Sequence, residues 1–263
     1  MIYILSGFSA LGKSHFINQL DNVYVLDSPF TKLKTDKSFK QKLYSYYKAH
    51  ILDSSNSLFE QYIEQIKLKV LKLIPKHRLK LIESELDSQF EYIKLYAAFV
   101  NEHVRNKANK VPAIVINRGV EDYLAYTCLY TGVSPIKLPD LLKQFIQLWY
   151  TNVLGTNNLQ NLYVIHFDSK SVVEGYFASY WKLISQTKKR AAVFAKVNQL
   201  RGNLNVKATV LEFETYLTQL LDIANAIAHP IVIKAIVPAN MSSLFEAYTK
   251  RNQMLAKVIM QMI

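Results

Sequence analysis

Five short runs of the chain are almost wholly apolar: Ile2–Leu5, Val23–Leu26, Ala113–Ile116, Leu162–Phe167 and Ile231–Ile236. Short runs rich in β-branched and aromatic residues, without polar alternation, predict buried strands. The stretches between them repeat apolar residues at helical steps instead. Strands alternating with helices predict an α/β fold built on a five-stranded, mainly parallel sheet. One helix is expected from Lys13 to about Leu20. A second covers Ser57–Leu73, with Ile66, Val70 and Leu73 on one stripe, and Pro75 interrupts it. A third runs from about Arg78 to Val104 and carries Leu79, Ile82, Leu86, Phe90, Ile93, Ala97 and Val100. The long crossover of about residues 35–109 therefore reads as a helical insertion. Glu121–Tyr130 and Asn240–Met262 are further helices. In the last, Ser243-Leu-Phe-Glu246 has capping-box spacing, and Leu244, Tyr248, Leu255, Ile259 and Met262 form an apolar stripe. There is no internal repeat, and the whole of 1–263 reads as one domain.

Composition narrows the class. Half of the 263 residues are apolar, which excludes a disordered or collagenous chain. Cys128 is the single cysteine, so an intramolecular disulfide framework and a multi-Cys zinc site are excluded. No apolar run reaches the roughly 18 residues that span a bilayer, and the apolar start lacks a basic region before it. These features point to a cytoplasmic setting with no membrane partner. Lys and Arg number 32 against 20 Asp and Glu, giving a net charge of +12. Between Lys32 and Lys80 there are 12 basic and 4 acidic residues, so much of the surplus lies on the insertion. Both a solvated helix face and an anion-binding surface fit that count. The Met-rich end of the last helix suits core packing or a homodimer contact.

The most specific signal is Gly7-Phe-Ser-Ala-Leu-Gly12-Lys13-Ser14, a complete GxxxxGK[ST] phosphate-binding loop between a strand and a helix. Gly7 and Gly12 permit the tight turn. The backbone N–H groups of Ser9, Ala10, Leu11, Gly12, Lys13, Ser14 and His15 are then expected around the phosphates of ATP, beside the helix N-terminus. Lys13 brings a cation to the β and γ oxygens, and the Ser14 hydroxyl is a ligand for Mg²⁺. No NKxD motif marks a GTPase. The strand that would carry an acidic pair in a helicase-type motor ends instead in Asn117-Arg118.

With these residues in view, the chain resembles the P-loop nucleoside and nucleoside-monophosphate kinases, including thymidylate and deoxynucleoside kinases, some of them viral. The loop begins at residue 7, and strand two ends in Val25-Leu-Asp27-Ser-Pro29. The third strand ends in Asn117-Arg118-Gly119-Val-Glu-Asp122, similar to the family's acidic-Arg motif. Strand four, ending at Asp168, leads by a helix to Lys188-Lys189-Arg190, similar to a cationic lid over about 182–201. The resemblance implies transfer of the γ-phosphoryl group of ATP, with Mg²⁺, to a nucleoside or (deoxy)nucleoside monophosphate. It implies Asp27 as the group that orients or deprotonates the acceptor hydroxyl. Lys13 and Arg118 are the catalytic cations, Arg118 and Asp122 the acceptor-side contacts, and Lys188, Lys189 and Arg190 the lid. Asn117 departs from the pattern, because an amide replaces the usual acid, so either Asp27 or Asp168 supplies that charge or the activity is an unusual one. Two alternatives stand beside this reading. The surplus charge suits a kinase acting on a DNA or RNA end or a modified base. Asn117 and the Met-rich helix suit a non-enzymatic, ATP-binding regulator.

Overall fold

The computed structural model describes the main chain of residues 1–52, 57–202, 204–228, 230–239 and 241–263, and all side chains among them except those of 57, 157, 189 and 228. The strands are β1 (Ile2–Ser6), β2 (Val23–Leu26), β3 (Ala113–Asn117), β4 (Leu162–Phe167) and β5 (Ile231–Ala235), each within one residue of the run that predicts it. They form one all-parallel sheet in the order β2-β3-β1-β4-β5. The helices are α1 (Lys13–Ile17), α2 (Phe30–Thr35), α3 (Lys37–His50), α4 (Ser57–Lys72), α5 (Leu79–Lys107), α6 (Val120–Thr131), α7 (Pro139–Trp149), α8 (Ser169–Ser185), α9 (Lys188–Arg201), α10 (Val206–Ala228) and α11 (Leu244–Met262).

The crossover from β1 to β2 runs toward one edge of the sheet, and the later crossovers run the other way. Right-handed connections then place α1 on one face and α5, α6, α7 and α10 on the other. Helix α11 packs beside α1, giving an α/β fold of three layers. No helix among the described residues is long and apolar enough to cross a membrane.

The central strand β1 is buried throughout, with Tyr3, Ile4 and Leu5 fully shielded. Helix α5 buries Ile82, Leu86, Phe90, Ile93, Ala97 and Val100 on the stripe that the spacing predicts. Each fully buried Ile, Leu or Phe there contributes about 1.5–3 kcal/mol. Several expectations are corrected. Helix α1 stops at Ile17, and the amides of Gln19 and Leu20 bond to carbonyls three residues back. The stripe of α4 is Phe59, Ile63, Ile66 and Val70, whereas Leu73, beyond the helix end at Lys72, is half exposed. Strand β5 is not buried: as an edge strand it leaves Ile231 and Val232 exposed, a matter of position rather than composition. The lid segment is divided between the end of α8 and α9, which Thr187 caps by accepting the Arg190 amide at 3.3 Å. The last helix starts at Leu244, and Asn240 lies outside the described residues. Its capping box is shifted: Ser243 accepts from the Glu246 amide, while the Glu246 carboxylate accepts from the amide of Ser242 at 3.1 Å, not from Ser243.

Candidate functional site

The connection leaving β1 heads for one edge of the sheet and that leaving β4 for the other. Between two such strands an open parallel sheet has a crevice at its carboxyl ends. The loop 7–14 occupies it. Gly7 has a φ of 133°, and a Cβ on it would stand 2.6 Å from the Phe167 carbonyl oxygen, so β1 and β4 approach here only because the residue is glycine. Gly12 has a φ of 79°, and its Cβ would meet the Arg251 guanidinium at 2.9 Å.

Every carbonyl from Gly7 to Gly12 accepts a hydrogen bond from a side chain. Lys13 Nζ donates to the carbonyls of Gly7 at 2.5 Å and Phe8 at 2.8 Å. The Tyr180 hydroxyl on α8 donates to Ser9 at 2.9 Å. From α11, Tyr248 donates to Ala10 at 2.8 Å, Arg251 Nη2 to Leu11 at 2.7 Å and Asn252 Nδ2 to Gly12 at 3.2 Å. Across a planar trans peptide the N–H points opposite to the C=O. The amides of Ala10, Leu11, Gly12 and Lys13 therefore point away from α8 and α11. Ser14 is exposed at the start of α1, and His15 is held through Nδ1 by Asn252 at 2.9 Å.

Asp122, expected on the acceptor side, lies fully buried beneath the loop. Its Oδ1 accepts from the Gly7 amide at 2.9 Å and its Oδ2 from the Gly119 amide at 3.1 Å. It ties the loop to the β3–α6 turn and is not available to a substrate hydroxyl. Arg118 sits in that turn with a φ of 104°, a region costly for a side-chain-bearing residue by about 1–3 kcal/mol. The Tyr96 hydroxyl pins its carbonyl at 2.6 Å, and the Tyr126 ring lies 5.5 Å from its guanidinium carbon. Its Nη1 is buried 3.7 Å from Asp122 and has no hydrogen-bond partner among the described residues. Burial lowers the pKa of Lys13 to about 7, and the charges of Arg118 and Arg251 push the same way.

At the ends of β2 and β3, Asn117 Nδ2 donates to Asp27 Oδ1 at 2.9 Å, and Asp27 is exposed. A second carboxylate at 117 would face Asp27 as a like charge, whereas the amide positions it without repulsion. Asp168 has other work: it caps α8 by accepting the Ser171 amide at 2.7 Å and pairs with Lys234 at 3.2 Å. Of the two carboxylates considered for the missing charge, Asp27 is the one beside Asn117. Behind Asp27, the hydroxyl of Ser28 meets those of Tyr92 at 2.9 Å and Tyr123 at 3.0 Å. Glu121 is buried under the β3–α6 turn and receives the Tyr150 hydroxyl; burial pushes its carboxyl up to about 7.

The lid cations are separated. Lys188 is exposed, and Arg190 donates to the Leu183 carbonyl at 2.8 Å, closing the end of α8. The Lys189 side chain lies outside the described residues. No group of three or more His, Cys, Asp or Glu that could hold a metal occurs among the described residues.

Comparison of the chain with protein-family models and with curated proteins finds no match.

The residues that sequence reasoning missed are Tyr180, Arg251 and Asn252, and Tyr248 was read only as part of an apolar stripe. One signal was present. Arg251-Asn252 falls on the otherwise apolar buried face of an amphipathic helix, and polar residues placed there require partners.

Proposed function

We propose that the protein binds a nucleoside triphosphate at loop 7–14 and transfers its γ-phosphoryl group to a nucleoside or (deoxy)nucleoside monophosphate held near Asp27 and Arg118. One observation carries this reading. Buried Lys13 and Arg251 and largely buried Arg118 gather around the loop, where the two arginines act against the charge of Lys13 and the carboxylates of Asp122 and Glu214 oppose them. Such a cluster is costly when empty, and phosphate groups satisfy it. The GxxxxGK[ST] sequence and its place at a strand end support the same ligand.

Phosphoryl transfer depends chiefly on positioning and on stabilising charge. Lys13 exchanges the Gly7 and Phe8 carbonyls for phosphate oxygens. Arg118, with its carbonyl fixed by Tyr96 and its Nη1 facing Asp122, turns the exposed part of its guanidinium to the transferring group. Asp27, held by Asn117, orients or deprotonates the acceptor hydroxyl. Magnesium usually keeps several waters and takes one or two protein ligands beside the phosphates. The exposed Ser14 hydroxyl fits so sparse a donor set and is the residue that would hold it. The ion would offset phosphate charge.

The test is transfer from labelled MgATP to a panel of nucleosides, nucleoside monophosphates and a 5′-hydroxyl oligonucleotide. Label on a nucleoside or monophosphate supports the reading. Label on the oligonucleotide alone makes the acceptor a polynucleotide end. ATP binding without any transfer leaves a nucleotide-binding regulator.

A further inference from the structure

We propose that Arg251 is a positioning residue of the phosphate loop, holding the Leu11 carbonyl outward so that the neighbouring amides face the phosphates, with Tyr248 and Asn252 completing the clamp from α11. The inference rests on the reading of the loop as a triphosphate site.

Arg251 is 3% exposed, and its guanidinium lies between two rings, 4.7 Å from Phe167 and 4.8 Å from Tyr248. Nη2 donates to Leu11 and Nε to Asn252 Oδ1 at 3.0 Å. It has no carboxylate partner among the described residues, and Nη1 has no hydrogen-bond partner there. A buried guanidinium without a counter-ion is a poor way to fill space between two aromatic rings, where a methionine would cost far less. Its pKa is lowered to about 10 by that burial. What the arginine supplies, and a methionine cannot, is a donor to Leu11 and a positive charge felt at Lys13. Helix α11 sets the spacing. Tyr248, Arg251 and Asn252 fall at i, i+3 and i+4, one face of a helix, and meet Ala10, Leu11 and Gly12 in turn. One rigid helix thus fixes three successive peptides of the loop. Preorganised amides of this kind bind an anion without reorganising when it arrives.

The experiment uses the full chain with Arg251→Met, Arg251→Lys and Tyr248→Phe. MgATP and pyrophosphate affinity is measured by calorimetry below each variant's melting temperature, and amide hydrogen exchange is followed over residues 8–14. Arg251→Met is expected to weaken both ligands about tenfold or more and to speed loop exchange, while β1 and β3 keep wild-type protection. Lysine at 251 should restore part of the affinity. Tyr248→Phe, which deletes only the hydroxyl on Ala10, should cost a few-fold and covers the case in which Arg251→Met does not fold. A folded variant with wild-type affinity and wild-type loop exchange overturns the inference. Failure of the wild-type chain to bind either ligand overturns the triphosphate reading instead, and faster loop exchange in Arg251→Met would still report the clamp.

Discussion

Two regions of this molecule are rich in cations, and they treat them oppositely. In the helical layer of α3, α4 and α5 several lysines are paired with carboxylates. Lys40 meets Glu91 at 2.8 Å, Lys42 meets Glu102 at 2.8 Å, and Lys67 meets Asp87 at 2.6 Å and Glu64 at 3.0 Å. Several of them rim a cavity of about 430 Å³ floored by Ile63 and Phe90, so its charge is largely neutralised in place. At the loop, Lys13 and Arg251 are buried and Arg118 is largely so, with Asp122 and Glu214 the carboxylates that act on Lys13. The layer holds more charge, but the loop holds charge more completely withdrawn from water. Affinity for an anion follows desolvated, unpaired cations rather than their number.

Lys13→Met puts that contrast to its hardest test. It should weaken MgATP binding about 100-fold or more, since the loop loses the cation that reaches the phosphate oxygens. Calorimetry showing less than a threefold loss would end the distinction. Asp27→Asn should slow transfer about 100-fold with little change in ATP affinity or melting temperature, because Asp27 is exposed and acts on the acceptor. Single-turnover rates separate that outcome from a binding defect.

The pH responses sharpen the comparison further. With the Lys13 pKa near 7 in the free protein, phosphate must restore its charge. Affinity should therefore fall about tenfold per unit as pH rises above 7, with about one proton taken up on binding at pH 8. Calorimetry in buffers of different ionisation enthalpy reads the proton directly, and Lys13→Met should abolish it. The pKa of Glu121 is displaced upward instead. Its folded pKa, about 7, lies above the ordinary value of 4.5, so folding stability is lost as pH rises through that interval. Glu121→Gln should raise stability by about 1–3 kcal/mol at pH 8 and by little at pH 4, measured by urea unfolding. The smallest effect is expected in the helical layer. Lys40→Gln with Lys67→Gln should change MgATP affinity less than twofold and stability by about 1 kcal/mol or less.

The sheet was legible because each strand is a closed apolar run bounded by polar turns, and α5 because its stripe holds for many turns. β5 misled because an edge strand and a central one can share a composition; only pairing order tells them apart. In the site, the loop was legible because its chemistry is contiguous. Asp27 and Asn117 were readable as strand ends, but not that one would hold the other across 90 residues. Asp122 was misjudged because a carboxylate opening a helix looks the same whether it faces solvent or a buried amide. Arg251 was invisible for a similar reason: its partner is a backbone carbonyl, which leaves no mark in the side-chain pattern.

The clamp also has a bearing on order of assembly. Arg251 reaches Leu11 across 240 residues, so the loop leaves the ribosome long before the helix that shapes it. Closing so distant a contact is slow and comes late in folding. A nascent chain would carry the complete glycine-rich motif and yet lack a formed phosphate site. Competence to bind nucleotide then becomes a property acquired when α11 docks, and a ligand present at that moment would act as a template for the final step of folding.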